Sequence, residues 1–122
     1  MATANVMKAE EYYKLVGEKN IEGFKKYLDP DVEFKGPLAA LNGREAVITA
    51  TSNFTNACQS LTIRAKFGEG DQAMLVYDVD IPGISKSFPG ASLLTFRDGL
   101  IVRIELFYDG SRFVEKKEEI FS

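Results

Sequence analysis

The sequence predicts an α+β domain, with helices packed on one face of an antiparallel sheet. Apolar residues recur at helical spacing through most of the first sixty residues, and strict alternation of apolar and polar residues dominates the rest. No Pro-, Gly- or Ser-rich linker interrupts the chain, so its 122 residues, 45% of them hydrophobic, are expected to form one domain over 1–122. A domain of this size buries roughly two-thirds of its unfolded surface.

Each element follows from local pattern. From Thr3 to Val16 the residues Val6, Ala9, Tyr13 and Val16 mark one helix face, with Tyr12 and Leu15 beside it, and Gly17 ends the helix. Asn20 caps a second helix striped by Ile21, Phe24 and Leu28, which Asp29-Pro30 stops. In D-V-E-F-K-G-P, Val32 and Phe34 alternate with Glu33 and Lys35 as a half-buried strand. Asn42-Gly43-Arg44-Glu45 has the form of a capping box with Asn42 as the cap, opening a helix striped by Val47, Ala50, Phe54 and Cys58. Leu61, Ile63, Ala65 and Phe67 then alternate with Thr62, Arg64 and Lys66, and G-E-G-D turns the chain into a long strand from Gln72 to Pro82. S-F-P-G-A-S-L-L-T-F, the hairpin turn Arg97-Asp98-Gly99 and L-I-V-R-I-E-L-F-Y-D complete the sheet.

Composition excludes several functions. The net charge is −3, and Lys and Arg are scattered, which leaves no cationic footprint for nucleic acid or an anionic membrane surface. The N-terminal residues carry no apolar leader and no run of 18 apolar residues occurs, so a soluble protein that is not exported is expected. Cys58 is the only cysteine; it rules out an internal disulfide and fits a reducing cytoplasm. The absence of histidine removes Ser-His-Asp and Cys-His catalysis and the common zinc and iron sites, so no metal is expected. Proton transfer would fall to Asp, Glu, Tyr or Lys. Neither G-x-G-x-x-G nor G-x-x-x-x-G-K-[ST] occurs, and no cofactor is expected.

The order helix, short helix, D-V-E-F-K-G-P, G-R-E-A-V at 43–47, a long hairpin, the R-D-G-L-I turn and F-Y-D at 107–109 resembles the nuclear-transport-factor-2-like superfamily, especially its SnoaL-like branch. The resemblance covers nearly the whole chain. It implies a curved antiparallel sheet wrapped around the N-terminal helices as a cone, enclosing a mostly apolar pocket, commonly in a homodimer. The superfamily hosts isomerases, cyclases, hydrolases and non-catalytic binding proteins, so the fold alone selects no chemistry. At the positions matching the ketosteroid isomerases, Gly36 replaces the basic aspartate, Ser92 replaces the oxyanion-hole aspartate, and only the helix-one tyrosine finds a match, in Tyr12. Against epoxide-hydrolase-like enzymes, V-Y-D-V-D at 76–80 offers Asp78 or Asp80, and Asp109 fits the second acid, but the arginine is lost. Asp109 most closely resembles the acid near the end of the last strand in SnoaL-like cyclases.

Two functional readings follow. In one, the protein binds a small hydrophobic molecule without chemistry. In the other, a cyclase, isomerase or hydrolase uses Asp109 as acid/base, Asp78 assists, and Tyr12 or Tyr108 hydrogen-bonds an oxyanion. Val16, Tyr27, Phe34, Phe54, Met74, Val76 and Tyr108 are expected to line the pocket or core. The resemblance puts Met74, Val76, Asp78 and Asp80 inside; Leu75, Tyr77, Val79 and Ile81, with Phe107, then form an outer apolar patch suited to a two-fold homodimer. Asp109 itself has a competing reading, as a turn former bonded near Ser111 or paired with Arg112. The run E-K-K-E-E at 115–119 reads as a solvated terminal segment.

Overall fold

The computed structural model describes residues 2–111. Helix α1 (Ala2–Gly17) is followed by α2 (Ile21–Phe24), a single 3-10 turn (Lys25–Tyr27), β1 (Leu28–Lys35), β2 (Ala40–Asn42) and α3 (Arg44–Ala57). Four long strands complete the fold: β3 (Ser60–Glu69), β4 (Gln72–Ile81), β5 (Ser85–Arg97) and β6 (Leu100–Phe107). They form one curved, unclosed sheet in the order β2-β1-β6-β5-β4-β3. All neighbours are antiparallel except β1 and β6, which pair in parallel. That pair is joined through α3 and four other strands, so no hairpin imposes an antiparallel sense on it.

Local chemistry explains both the agreements and the departures. Asn20 caps α2 through its side-chain oxygen, which accepts from the Gly23 N–H at 2.9 Å. The expected helix to Leu28 does not form: Leu28 already pairs with Ile101 in the sheet. Asp29-Pro30 lie inside β1, where the register slips between Leu28 and Glu33 because Pro30 has no N–H to give the ladder. Nor does Asn42 cap α3. Asn42 pairs with Glu33 in β2, a strand the pattern did not reveal, and the cap is Gly43 at φ 95°, a backbone region that favours glycine. Asp98 (φ 54°) and Gly99 (φ 81°) make the two-residue turn between β5 and β6, as the D-G pair predicts.

The inward face of the sheet reverses the expectation for β4. Ala73, Leu75, Tyr77, Val79 and Ile81 are buried against the helices, whereas Met74, Val76, Asp78 and Asp80 are half-exposed on the outer side. Strand alternation permits either face, and dehydration decides between them. One row is wholly apolar or aromatic and meets Tyr12, Tyr13 and Val16 of α1; the other would carry two carboxylates into the core without a partner. On the outer side Asp78 instead meets Arg64, Oδ2 to Nε at 3.1 Å. Thr55 of α3 is buried and donates its hydroxyl to the Val16 carbonyl, tying α3 to the end of α1.

The same reversal changes the outer patch. Leu75, Tyr77, Val79 and Ile81 are core, not surface. The outer apolar rows are Phe67, Met74 and Leu93, and Ala65, Val76, Ala91 and Phe107, each aligned across strands by the register.

Candidate functional site

Tyr12, Tyr13 and Val16 of α1, Ala50, Thr51 and Phe54 of α3, Phe34, Tyr77, Ile104 and Leu106 surround a hollow of about 40 Å³. The positions on each helix are i, i+1 and i+4, so they share one face. A second hollow of about 20 Å³ is bordered by Phe54, Tyr77, Val79, Ile81, Phe88, Gly90, Leu106 and Tyr108. Drug-sized pockets run from roughly 300 to 1,000 Å³, and one water occupies about 30 Å³ of liquid. The residues expected to line a pocket therefore converge, but their own side chains fill most of the space.

Polarity in this region comes from hydroxyls. Tyr13 Oη donates to Ser92 Oγ at 2.7 Å, and Tyr77 Oη shares a second 2.7 Å hydrogen bond with the same oxygen. The Tyr13 and Tyr77 rings stack with centroids 5.1 Å apart. Gly90 pairs with Tyr77 across the sheet, and a Cβ there would stand 3.1 Å from the Tyr77 ring, so the absence of a side chain lets the ring lie down on β5. Tyr12 is hydrogen-bonded to Thr51 and touches Tyr13, Phe24 and Tyr27 edge-on. Burial pushes Tyr13 up to about 12, against the lowering effect of its bond to Ser92. Burial likewise raises Tyr12 and Tyr77, and pushes Tyr108 up to about 12. These phenols are neutral at physiological pH: they offer hydrogen bonds to a ligand oxygen and are poor bases.

The predicted site residues divide accordingly. Tyr12, Val16, Phe34 and Phe54 border the first hollow, and Phe54 and Tyr108 the second. Tyr27 stands behind Tyr12, ring to ring at 6.4 Å, and borders neither. Met74, Val76 and Asp78 are corrected to the opposite side of the sheet, for the dehydration reason given above. Asp109 is exposed beyond the end of β6, and its Oδ1 accepts from the Ser111 N–H at 3.1 Å and the Ser111 hydroxyl at 2.7 Å. That is the turn geometry, and it overturns the expectation that this carboxylate faces the apolar hollow. The strand's alternation explains it: Leu106 and Tyr108 turn inward, Phe107 and Asp109 outward. Arg112 and the run at 115–119 lie outside the described residues.

Sequence reasoning missed Tyr13, Ser92, Tyr77 and Leu106 as site residues. A signal for Ser92 existed: it shares the buried row of Phe88, Leu94 and Phe96, where a lone hydroxyl must find a partner. Among the described residues no helix is long and apolar enough to cross a membrane, and no group of three potential ligands could hold a metal ion.

Comparison with known proteins agrees with this fold. Residues 9–104 match the family model of the SnoaL-like domain. No curated protein matches the chain at a significant level. Among solved structures, a protein from Kribbella flavida has a TM-score of 0.87 at 20% identity, covering 96% of each chain. A nuclear-transport-factor-2-like protein of unknown function from Cytophaga hutchinsonii has a TM-score of 0.74 at 21% identity, covering 84% of this chain and 88% of its own. A steroid delta-isomerase from Pseudomonas aeruginosa has a TM-score of 0.74 at 18% identity, covering 87% and 80%. At these identities the likeness is one of fold.

The buried phenols set an alkaline limit on stability. Their folded values lie above the unfolded value of about 10, so the folded chain keeps protons that the unfolded chain releases. The stability they contribute is complete below about pH 10 and is lost as pH rises through the folded values, near 12 for Tyr13. Urea midpoints should stay level up to about pH 9 and then fall, with a shallower fall in Tyr13→Phe. Phenolate absorbance from Tyr13 and Tyr77 appearing in a fully folded protein at about pH 10 would contradict their burial.

Proposed function

The chain belongs to the SnoaL-like domain family, and from that premise we propose that it binds a small, uncharged hydrophobic molecule between α1, α3 and the sheet. The observation that carries this reading is the chemistry of the lining. Every described residue bordering the two hollows is apolar or bears a neutral hydroxyl or no side chain at all. Such a lining favours apolar surface at roughly 25 cal/mol per Å² and penalises an unpaired charge heavily. The hydroxyl-bearing residues that border the first hollow, Tyr12, Tyr13, Thr51 and Tyr77, offer hydrogen bonding without a strong base. The acid/base alternative needs a carboxylate at the ligand, and neither Asp78 nor Asp109 borders the hollows.

We further propose a two-fold homodimer through the outer sheet face. Phe67 is 61% and Phe107 49% exposed, and they sit at the ends of the two apolar rows that run through Met74 and Val76. Ion pairs of Arg64 with Asp78 and of Arg103 with Glu105 flank this area, giving an apolar centre with a charged border. A cytoplasmic setting completes the proposal, in keeping with the free, buried Cys58.

Ligand binding is tested by thermal shift and fluorescence titration with a neutral polyaromatic dye, a planar polyketide-like phenol and a steroid. At least one should raise Tm; ligand at a hundredfold excess over Kd stabilises by about 2.7 kcal/mol. Silence from all three would remove the binding reading. For the dimer, light scattering at micromolar concentration should give twice the chain mass, and Val76→Lys should halve it while the chain stays folded. A monomeric wild type would remove that interface.

A further inference from the structure

We propose, independently of what the hollows bind, that the free edge of β3 at residues 60–63 is a docking site for an extended segment of a partner protein. That segment carries Arg or Lys at alternate positions and adds one more strand to the sheet, beside the flank of α1. β3 ends the strand order, so along one side its N–H and C=O groups have no strand to pair with among the described residues. Proteins guard such edges with charges and bulges. The second half of β3 is guarded in both ways: its register slips between Ile63 and Ala65, and Arg64, Lys66 and Glu69 follow. Ser60, Leu61, Thr62 and Ile63 carry no charge and pair with β4 in unbroken register, which leaves their outer edge open to another strand.

The unguarded stretch is also the part of β3 that lines a groove. Met7, Glu10, Glu11, Lys14 and Glu18 recur at i, i+3, i+4, i+7 and i+11, so one flank of α1 faces residues 60–63 across about 780 Å³. Beyond Ile63 the Lys66–Glu10 ion pair, at 2.9 Å, ties strand to helix. The walls select the occupant. Leu61 and Ile63 are only half-buried, and Met7 is 64% exposed, the one exposed large hydrophobic residue described that belongs to neither outer row. Glu11 and Glu18 are exposed beside them and, among the described residues, have no ion-pair partner. Long cationic side chains satisfy both surfaces: their methylene stems cover Leu61, Ile63 and Met7 while their charged heads reach the carboxylates. Side chains on one face of a strand alternate along it, which is why the basic residues must alternate. A second copy of this edge fits less well, because a two-fold axis there would set the acidic flanks of two α1 helices against each other.

Fluorescence anisotropy with the fluorescein-labelled hexapeptide T-R-T-R-T-R tests the site against T-T-T-R-R-R, which has the same charge without the alternation, and against T-E-T-E-T-E. The alternating basic peptide should bind about tenfold or more tightly than either, and amide chemical shifts should move at residues 60–63 and 7–18. The double variant Glu11→Lys/Glu18→Lys, changed only at exposed positions, should weaken binding about tenfold while Tm and circular dichroism hold. Methylating the backbone nitrogens of the arginines in one peptide and of the threonines in another should abolish binding in one case only, since alternate N–H groups of an added strand point to opposite edges. Equal binding of T-T-T-R-R-R, or of both methylated peptides, would reduce the effect to charge and overturn the added strand. No binding of T-R-T-R-T-R overturns the site. Light scattering should show the protein's assembly unchanged by saturating peptide; its separation into smaller species would give the edge to a second copy and overturn the choice of partner.

Discussion

The packing of this domain depends on one buried polar junction, where the hydroxyls of Tyr13 and Tyr77 meet on Ser92. All three residues are removed from water, so each hydroxyl must find its hydrogen bonds inside the protein. Loss of one partner would strand the others at a cost of about 1–3 kcal/mol. The junction joins α1, β4 and β5 at one point, and with the Tyr13–Tyr77 ring stack it allows a single roll of the helix over the sheet. Gly90 is part of the same constraint, since a Cβ there would stand 3.1 Å from the Tyr77 ring and press it to shift.

Once Tyr77 points inward, the rest of β4 follows by alternation. Leu75, Val79 and Ile81 join the core, and Asp78 and Asp80 are turned outward. The carboxylates thus stay hydrated, Asp78 beside Arg64, and the helix-facing side of the sheet carries phenols in place of acids. A hollow built this way is suited to holding an apolar molecule by shape and a neutral hydrogen bond. It is poorly suited to moving protons, because a buried phenol with a raised pKa neither accepts nor releases one readily near neutral pH.

Most of the fold was legible from periodicity and turn chemistry, because those signals are local: the α1 stripe, the Asn20 cap, the Asp98-Gly99 turn and the long alternating strands all hold. The start of β1, the short β2 and the Gly43 cap were not, since pairing with distant β6 overrides the helical spacing of Leu28, and three residues show no period. The site was half legible. Tyr12, Val16, Phe34, Phe54 and Tyr108 could be chosen as aromatic or apolar residues on inward rows. The side taken by Asp78 could not, because alternation defines two faces without naming the inner one; family resemblance supplied the wrong choice where dehydration would have supplied the right one. Asp109 was read toward the pocket on family resemblance, with the turn as the competing reading, and its contacts with Ser111 give it to the turn.

The facing of β4 is the claim on which the uncharged lining of the hollows rests, and thiol accessibility measures it directly. In a background where Cys58 is replaced by Ala, single cysteines at Asp78→Cys, Val79→Cys and Asp80→Cys are labelled in the native state with a neutral maleimide. Asp78→Cys and Asp80→Cys should react at nearly the rate of the urea-unfolded chains, while Val79→Cys should react only as fast as the protein opens, slower by orders of magnitude. Fast labelling at Val79→Cys together with protection at Asp78→Cys would turn the strand over and return the carboxylates to the interior.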